Sequence, residues 1–180
     1  VDLDVQNAAE KVYENRDNLN YTSSDGQLMQ SAITIIDNST GDIAAIVGRV
    51  GEKTGNRWKN FATEAYRQPG SSIKPLSVYS PGLEMGVITP ITIVDDYPYQ
   101  LMNGSPWPIN SGSAKYRGLT TVRSGLARSV NTIALRVLAD RVTVDASFNF
   151  VEDHYHIDLV QAQQSGDTVQ SDMSLAPLSM

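Results

Sequence analysis

The chain contains no cysteine, which excludes disulfide staples, cysteine-ligated zinc and thiol nucleophiles. Its two histidines, His154 and His156, have no convincing third ligand. They read as surface or packing residues, so neither a metal nor a cofactor is expected. No apolar run approaches the length of a membrane-spanning helix and Val1 opens no signal peptide, so any membrane anchor is expected outside these residues. Positive charge is not concentrated either: 14 Lys and Arg are scattered among 20 Asp and Glu, for a net charge of -6. A nucleic-acid binder draws its affinity from a basic stripe that displaces counterions, so nucleic acid is not an expected partner. At 41% hydrophobic and 19% charged residues, the chain is neither disordered nor a coiled coil. Its 180 residues suit one domain with a core of its own.

Val5, Ala8, Ala9 and Val12 fall at helical spacing and predict an amphipathic helix over 4–19. Two β-branched runs, 31–36 and 43–47, flank Asp37-Asn38-Ser39-Thr40-Gly41-Asp42 and predict an antiparallel hairpin. Residues 50–69 read as an irregular connection. A helix is expected from Ser71 to Glu84 or Met85, with Pro75 in its first turn, where few backbone donors are needed. Pro90, Pro98, Pro106 and Pro108 mark 89–117 as a long structured loop with short strands, of a length that usually carries function. Helical spacing returns over 120–142, and 161–172 reads as a polar loop. The sum is an α+β chain: helix and hairpin over 1–50, then a helical region over 71–142.

A serine hydroxyl needs a base beside it to attack at neutral pH. On a helix, Ser71 and Lys74 share one face at i, i+3. Lys74 can take the serine proton only when neutral, so its pKa must fall by about 3 units from roughly 10.4, a differential interaction of about 4 kcal/mol. Burial and nearby positive charge are the expected causes. A serine at a helix start also offers its backbone N–H to a developing oxyanion. Taken alone, the pair reads first as a helix cap followed by a surface lysine.

The context adds more. The block Arg67-Gln68-Pro69-Gly70-Ser71-Ser72-Ile73-Lys74-Pro75 resembles the R-x-x-x-G-S-x-x-K-P block of penicillin-binding proteins. Trp107-Pro108-Ile109-Asn110, then Tyr116-Arg117-Gly118-Leu119-Thr120-Thr121-Val122-Arg123, then Leu126-Ala127-Arg128-Ser129-Val130-Asn131 resemble, in order and spacing, the landmarks of the class A enzymes. The hairpin resembles that family's opening strands. The resemblance implies the fold of the penicillin-binding protein and serine β-lactamase transpeptidases, here as the N-terminal part of one domain: a helical subdomain and part of an antiparallel sheet completed outside this chain. It implies that Ser71 attacks the D-Ala-D-Ala end of a peptidoglycan stem peptide and that Lys74 is its base. Ser129 would relay the proton to the leaving group and Asn131 would hold the substrate amide. β-Lactam antibiotics would acylate the same serine. It further implies a preceding glycosyltransferase domain and a site on the extracytoplasmic face of the bacterial cell membrane.

One physical condition follows. Residues two apart on a helix point about 200° from each other, so Ser129 and Asn131 can share a site only if the helix breaks between Leu126 and Thr132. The third motif of the family, K-T-G on a strand after S-x-N, is expected beyond residue 180, with a separate C-terminal polypeptide completing the domain. Lys53-Thr54-Gly55 precedes Ser71 in a polar stretch and is read as a decoy, and Glu52 also spoils it as a phosphate loop. Ser147-Phe148-Asn149 is assigned to packing, and Asp95-Asp96 to a solvated turn. Trp107 fits either cleft lining or core anchoring. Three alternatives stay open: a serine β-lactamase, a β-lactam-sensing receptor domain, and a degenerate interaction domain. The lactamase reading is weakened because Val130 replaces the aspartate of S-D-N and no E-x-x-L-N segment follows.

Overall fold

The computed structural model describes residues 1–112, 116–161, 163–165 and 168–180, arranged as two units, Val1–Arg67 and Gln68–Met180. Residues 113–115 of the expected long loop, and 162, 166 and 167 of the expected polar tail, lie outside the described residues.

In the first unit, helix α1 (Leu3–Glu14) begins where the Asp2 carboxylate accepts the backbone N–H of Asp4 and Val5, at 2.9 and 3.1 Å, leaving fewer unsatisfied donors in its first turn. The expected helix over 4–19 does not run through: Asn15 adopts extended backbone and Arg16–Leu19 forms a separate 3₁₀ turn. Strands β1 (Ile33–Ile36) and β2 (Ile43–Val47) form the expected antiparallel hairpin, with a bulge between Ile35 and Ile36. The Asp37 side chain fixes its turn by accepting from Ser39 N (2.8 Å) and Ser39 Oγ (2.7 Å), the local bonding that favours Asp in turns. On β2, the Gln6 side-chain amide bonds both backbone groups of Ile46: Nε2 donates to its carbonyl at 3.0 Å and Oε1 accepts its N–H at 2.9 Å. Asp2 N–H reaches the Ala44 carbonyl at 2.7 Å. The connection that follows is irregular apart from a short helix, α2 (Phe61–Glu64). Lys53, Thr54 and Gly55 lie on no strand.

The second unit opens with one helical path of changing pitch: a 3₁₀ turn (Gly70–Ile73), a π turn (Pro75–Tyr79) and α3 (Ser80–Glu84). The expected α-helix is broken up by its prolines. Pro81 has no N–H to give the Ser77 carbonyl, and the Ser147 hydroxyl supplies the missing donor from a later helix. Ser147 is fully buried and Phe148 nearly so, so the second S-x-N serves packing.

Antiparallel pairs follow in the expected loop and just past it, where residues 120 and 121 are strand and not the expected helix. β3 (Ile93–Asp96) pairs with β6 (Gly118–Thr121), and β4 (Gln100–Met102) pairs with β5 (Ser105–Trp107). Half-buried Trp107 closes β5 opposite Gln100. Then come α4 (Val122–Ala127), α5 (Asn131–Val137), a π turn (Leu138–Val142) and α6 (Val144–Tyr155). The polar tail is not loop alone: β7 (Gln163–Ser165) and β8 (Thr168–Gln170) form a ribbon, and α7 (Leu175–Ser179) ends the chain. Its mostly polar residues hide a strand because no apolar period marks it. His154 stacks on Phe150, ring centroids 4.0 Å apart, which is a packing role. Among the described residues no helix is long and apolar enough to cross a membrane.

The core of this unit is built around α5, with Val78, Tyr79, Val94, Val122, Ile133, Ala134, Val137 and Leu178 buried in one cluster. Helices α4 and α5 approach closely because position 125 is glycine. A Cβ there would sit 2.6 Å from Ile133 Cγ2 and 3.0 Å from Ile133 Cβ, and Ile133 has no accessible surface into which to move. Gly125→Val is therefore expected to destabilise the protein by about 1–3 kcal/mol through overpacking, seen as a lower midpoint of thermal unfolding. An unchanged midpoint would contradict this close approach.

Candidate active site

Gly70 has φ +55°, a left-handed conformation that glycine adopts without a Cβ penalty. It turns the chain so that Ser71 stands exposed at the head of the 3₁₀ turn while Lys74, three residues on, is 1% exposed. In 3₁₀ geometry i and i+3 eclipse, and the Lys74 N–H bonds the Ser71 carbonyl. The two side chains thus leave one face of one turn, that of Ser71 toward solvent and that of Lys74 into the protein. The Ser71 N–H makes no backbone hydrogen bond among the described residues and is free to face an oxyanion.

The Lys74 ammonium meets three acceptors: Asn131 Oδ1 at 2.6 Å, the Ser129 carbonyl at 2.9 Å and Ser129 Oγ at 3.1 Å. Three donors for three acceptors leave the protonated form saturated. Among the described residues, no hydrogen bond joins Ser71 Oγ to Lys74 Nζ. Burial pushes the Lys74 pKa down from 10.5 to about 8. The expected depression is there, and desolvation is its cause; among the described residues no neighbouring cation contributes. A value of about 8 leaves a minor fraction of this lysine neutral at pH 7. When neutral, the nitrogen has a lone pair, and Ser129 Oγ is the one partner of the three that can donate to it.

Ser129 and Asn131 share the site because the helix breaks where the geometry required. α4 ends at Ala127 and α5 begins at Asn131, and between them Ser129 has φ +52°. A non-glycine residue there costs about 1–3 kcal/mol, a strain found where function fixes the backbone. Here it turns both the carbonyl and the hydroxyl of Ser129 toward Lys74. Asn131 is oriented from its other end: its Nδ2 donates to the Ile109 carbonyl at 2.7 Å, leaving Oδ1 to face the lysine.

Two residues went unrecognised in the sequence. Asn110 Oδ1 accepts the backbone N–H of Asn131 (3.0 Å) and of Thr132 (3.3 Å), capping α5 from a distant loop. Asp96, expected in a solvated turn, is 1% exposed. It lies on β3, where alternation turns Asp95 outward and Asp96 inward. It accepts from Asn110 Nδ2 (2.8 Å), from Arg117 N (3.0 Å) and from Thr132 Oγ1. A cavity of about 90 Å³ beside Ser129 is lined by Asp96, Asn110, Arg117 and Arg128.

The family model for the penicillin-binding protein transpeptidase domain matches residues 31–165. The chain belongs to this family. Among curated relatives, Penicillin-binding protein 1A of Neisseria lactamica is 38% identical over 115 residues, which is 62% of this chain and 14% of that protein. Penicillin-binding protein 1A of Clostridium botulinum is 29% identical over 156 residues, 82% of this chain and 19% of the relative. Among solved structures, a peptidoglycan synthetase from Bifidobacterium adolescentis superposes with TM-score 0.61 at 22% identity, covering 84% of this chain and 27% of the other. The penicillin-binding protein resemblance read from the motifs is thus matched in sequence and in fold, and this transpeptidase-family chain spans about a seventh to a fifth of the relatives' length.

Proposed function

We propose that this chain carries the nucleophile, base and proton relay of a serine-type D,D-transpeptidase that cross-links peptidoglycan. The observation that supports it most is a fully buried Lys74 whose ammonium is held by both polar residues of the S-x-N motif. Ser71 Oγ attacks the carbonyl of the penultimate D-Ala of a stem peptide while neutral Lys74 takes its proton. The Ser71 N–H helps hold the oxyanion. Collapse breaks the peptide bond, the terminal D-Ala amine leaves with a proton relayed through Ser129 Oγ from Lys74, and the acyl group stays on Ser71. Asn131 orients the substrate amide. A second stem peptide's amine then takes the acyl group. A β-lactam opens on the same serine and leaves no amine to depart.

In this reading the K-T-G wall of the cleft comes from sequence outside these residues. A glycosyltransferase domain precedes them, and the protein works at the extracytoplasmic face of a bacterial membrane through an anchor also outside them. The relatives' greater length leaves room for such further parts. A lactamase is less well supported, since Val130 follows Ser129 and no E-x-x-L-N segment occurs in 130–180.

The test is to incubate the complete protein with a fluorescent penicillin and map the label. Label retained after denaturation on the peptide bearing Ser71, together with release of D-Ala from a D-Ala-D-Ala substrate analogue, is the expected result. Rapid loss of label indicates a lactamase, retention without D-Ala release indicates a sensor, and the absence of label on Ser71 overturns the acyl-enzyme reading.

A further inference from the structure

The site includes a buried carboxylate that the proposed chemistry does not use. Asp96 is 1% exposed on a strand whose neighbouring Asp95 points to solvent, and burying an acid is costly unless hydrogen bonds compensate. Three donors do so: the Asn110 side-chain amide, the Arg117 backbone and the Thr132 hydroxyl. They come from three places that must be held in register: the loop after β5, the residue just before β6 and the first turn of α5.

The orientation of Asn110 follows from Asp96. With its Nδ2 committed to the carboxylate, its Oδ1 must face the other way, and there it accepts the N–H groups of Asn131 and Thr132. α5 has no cap from its own preceding residue, Val130, so this remote amide sets where the helix starts. The same loop supplies the Ile109 carbonyl, which fixes the Asn131 side chain with Oδ1 toward Lys74. We infer that Asp96 is a positioning residue, which through Asn110 fixes Asn131 and thereby the place of the Lys74 amine relative to Ser71. The relay has no alternative amide orientation: a flipped Asn110 would present its NH₂ to two backbone N–H groups and its oxygen to a carboxylate. Besides Asp96 itself, the charged side chains lining this cavity among the described residues are Arg117 and Arg128.

This inference rests on Lys74 acting as the base, and the experiment separates the two claims. Rate constants for penicillin acylation of the complete protein are measured from pH 6 to 10 for wild type, Asp96→Asn, Asn110→Ala and Val151→Ala, with thermal unfolding of each. Val151 is a fully buried core residue on α6 and controls for lost stability alone. The expected result is a fall of about 10- to 100-fold on the high-pH plateau for Asp96→Asn, the size that misplacement of a reacting group produces. Its pH midpoint should rise as Lys74 regains water. Asn110→Ala, which keeps the Asp96 charge, should behave alike, and Val151→Ala should stay within about twofold of wild type in rate, against that same scale. If Asp96→Asn does not fold, Asn110→Ala decides alone. A plateau unchanged in the folded variants overturns the inference, as does an equal loss in Val151→Ala. A midpoint that falls in Asp96→Asn and stays put in Asn110→Ala makes Asp96 a bare charge, and also overturns it. Failure of wild type to acylate on Ser71 defeats the transpeptidase reading instead.

Discussion

Replacing Lys74 with alanine is expected to slow acylation of Ser71 by about 10²- to 10⁴-fold, the usual contribution of a positioned base, and to remove the pH dependence that the lysine imposes. As the proposed base, Lys74 works only when neutral. With the Lys74 pKa at about 8, the rate should climb from pH 6 and level off above pH 9, gaining about tenfold over its value at pH 7. The alanine variant should show a low, flat profile across this window. Stability moves with the same proton. Because the folded value lies below 10.5, the unfolded chain binds more protons between pH 8 and 10.5, so stability rises with pH there. Below pH 8 the whole penalty of the buried ammonium is present, about 3 kcal/mol for a difference of this size. Stopped-flow labelling with a fluorescent penicillin checks the rates. A variant within tenfold of wild type that keeps a midpoint near pH 8 would show that the titrating base is another group.

The second large effect is expected from Asn131→Asp. The change is nearly isosteric but places a carboxylate where an amide oxygen now lies 2.6 Å from the Lys74 ammonium. An opposite charge this close favours the charged lysine, so the midpoint of the pH–rate curve should move up by about one to three pH units. The rate at pH 7 should then fall by about 10- to 10³-fold, with partial recovery at high pH that Lys74→Ala cannot show. The variant also loses the donor to the Ile109 carbonyl, so its plateau should lie below that of wild type. A midpoint that does not move upward would mean that Asn131 and Lys74 are not in contact in solution.

The motifs could be read because they are local. The serine–lysine turn lies within four residues, and the need for Ser129 and Asn131 to face one site forced a helix break that occurs where expected. The hairpin was legible from its β-branched alternation and its Asp37 turn. What escaped depended on partners far along the chain. Nothing near Pro81 announces that a serine on α6 will supply the donor the proline lacks, so a 3₁₀ and π path looked like plain α-helix. Asp96 looked solvated because two adjacent acids suggest a turn. Its burial depends on Asn110, Arg117 and Thr132, which lie 14, 21 and 36 residues away. The alternation Ile93, Val94, Asp95, Asp96 held a clue, since the position after buried Val94 on the same face is 96. Asn110 stood inside a recognised landmark, but a landmark gives no hydrogen-bond partners.

The Gln6 contact on β2 gives the hairpin a direction. A strand has two sides, and β2 gives one to β1; Ile46 and Ala44 on the other are already occupied by the Gln6 amide and the Asp2 N–H. Gln6 acts there like a single residue of a neighbouring strand, and α1 closes that side to further pairing. Among the described residues β1 pairs with β2 alone, so its outer row of N–H and C=O groups is the one that can recruit. Sheet growth from this hairpin is therefore one-way. A strand that joins it must come in beside Ile33–Ile36, and a second copy of the hairpin cannot stack on through β2.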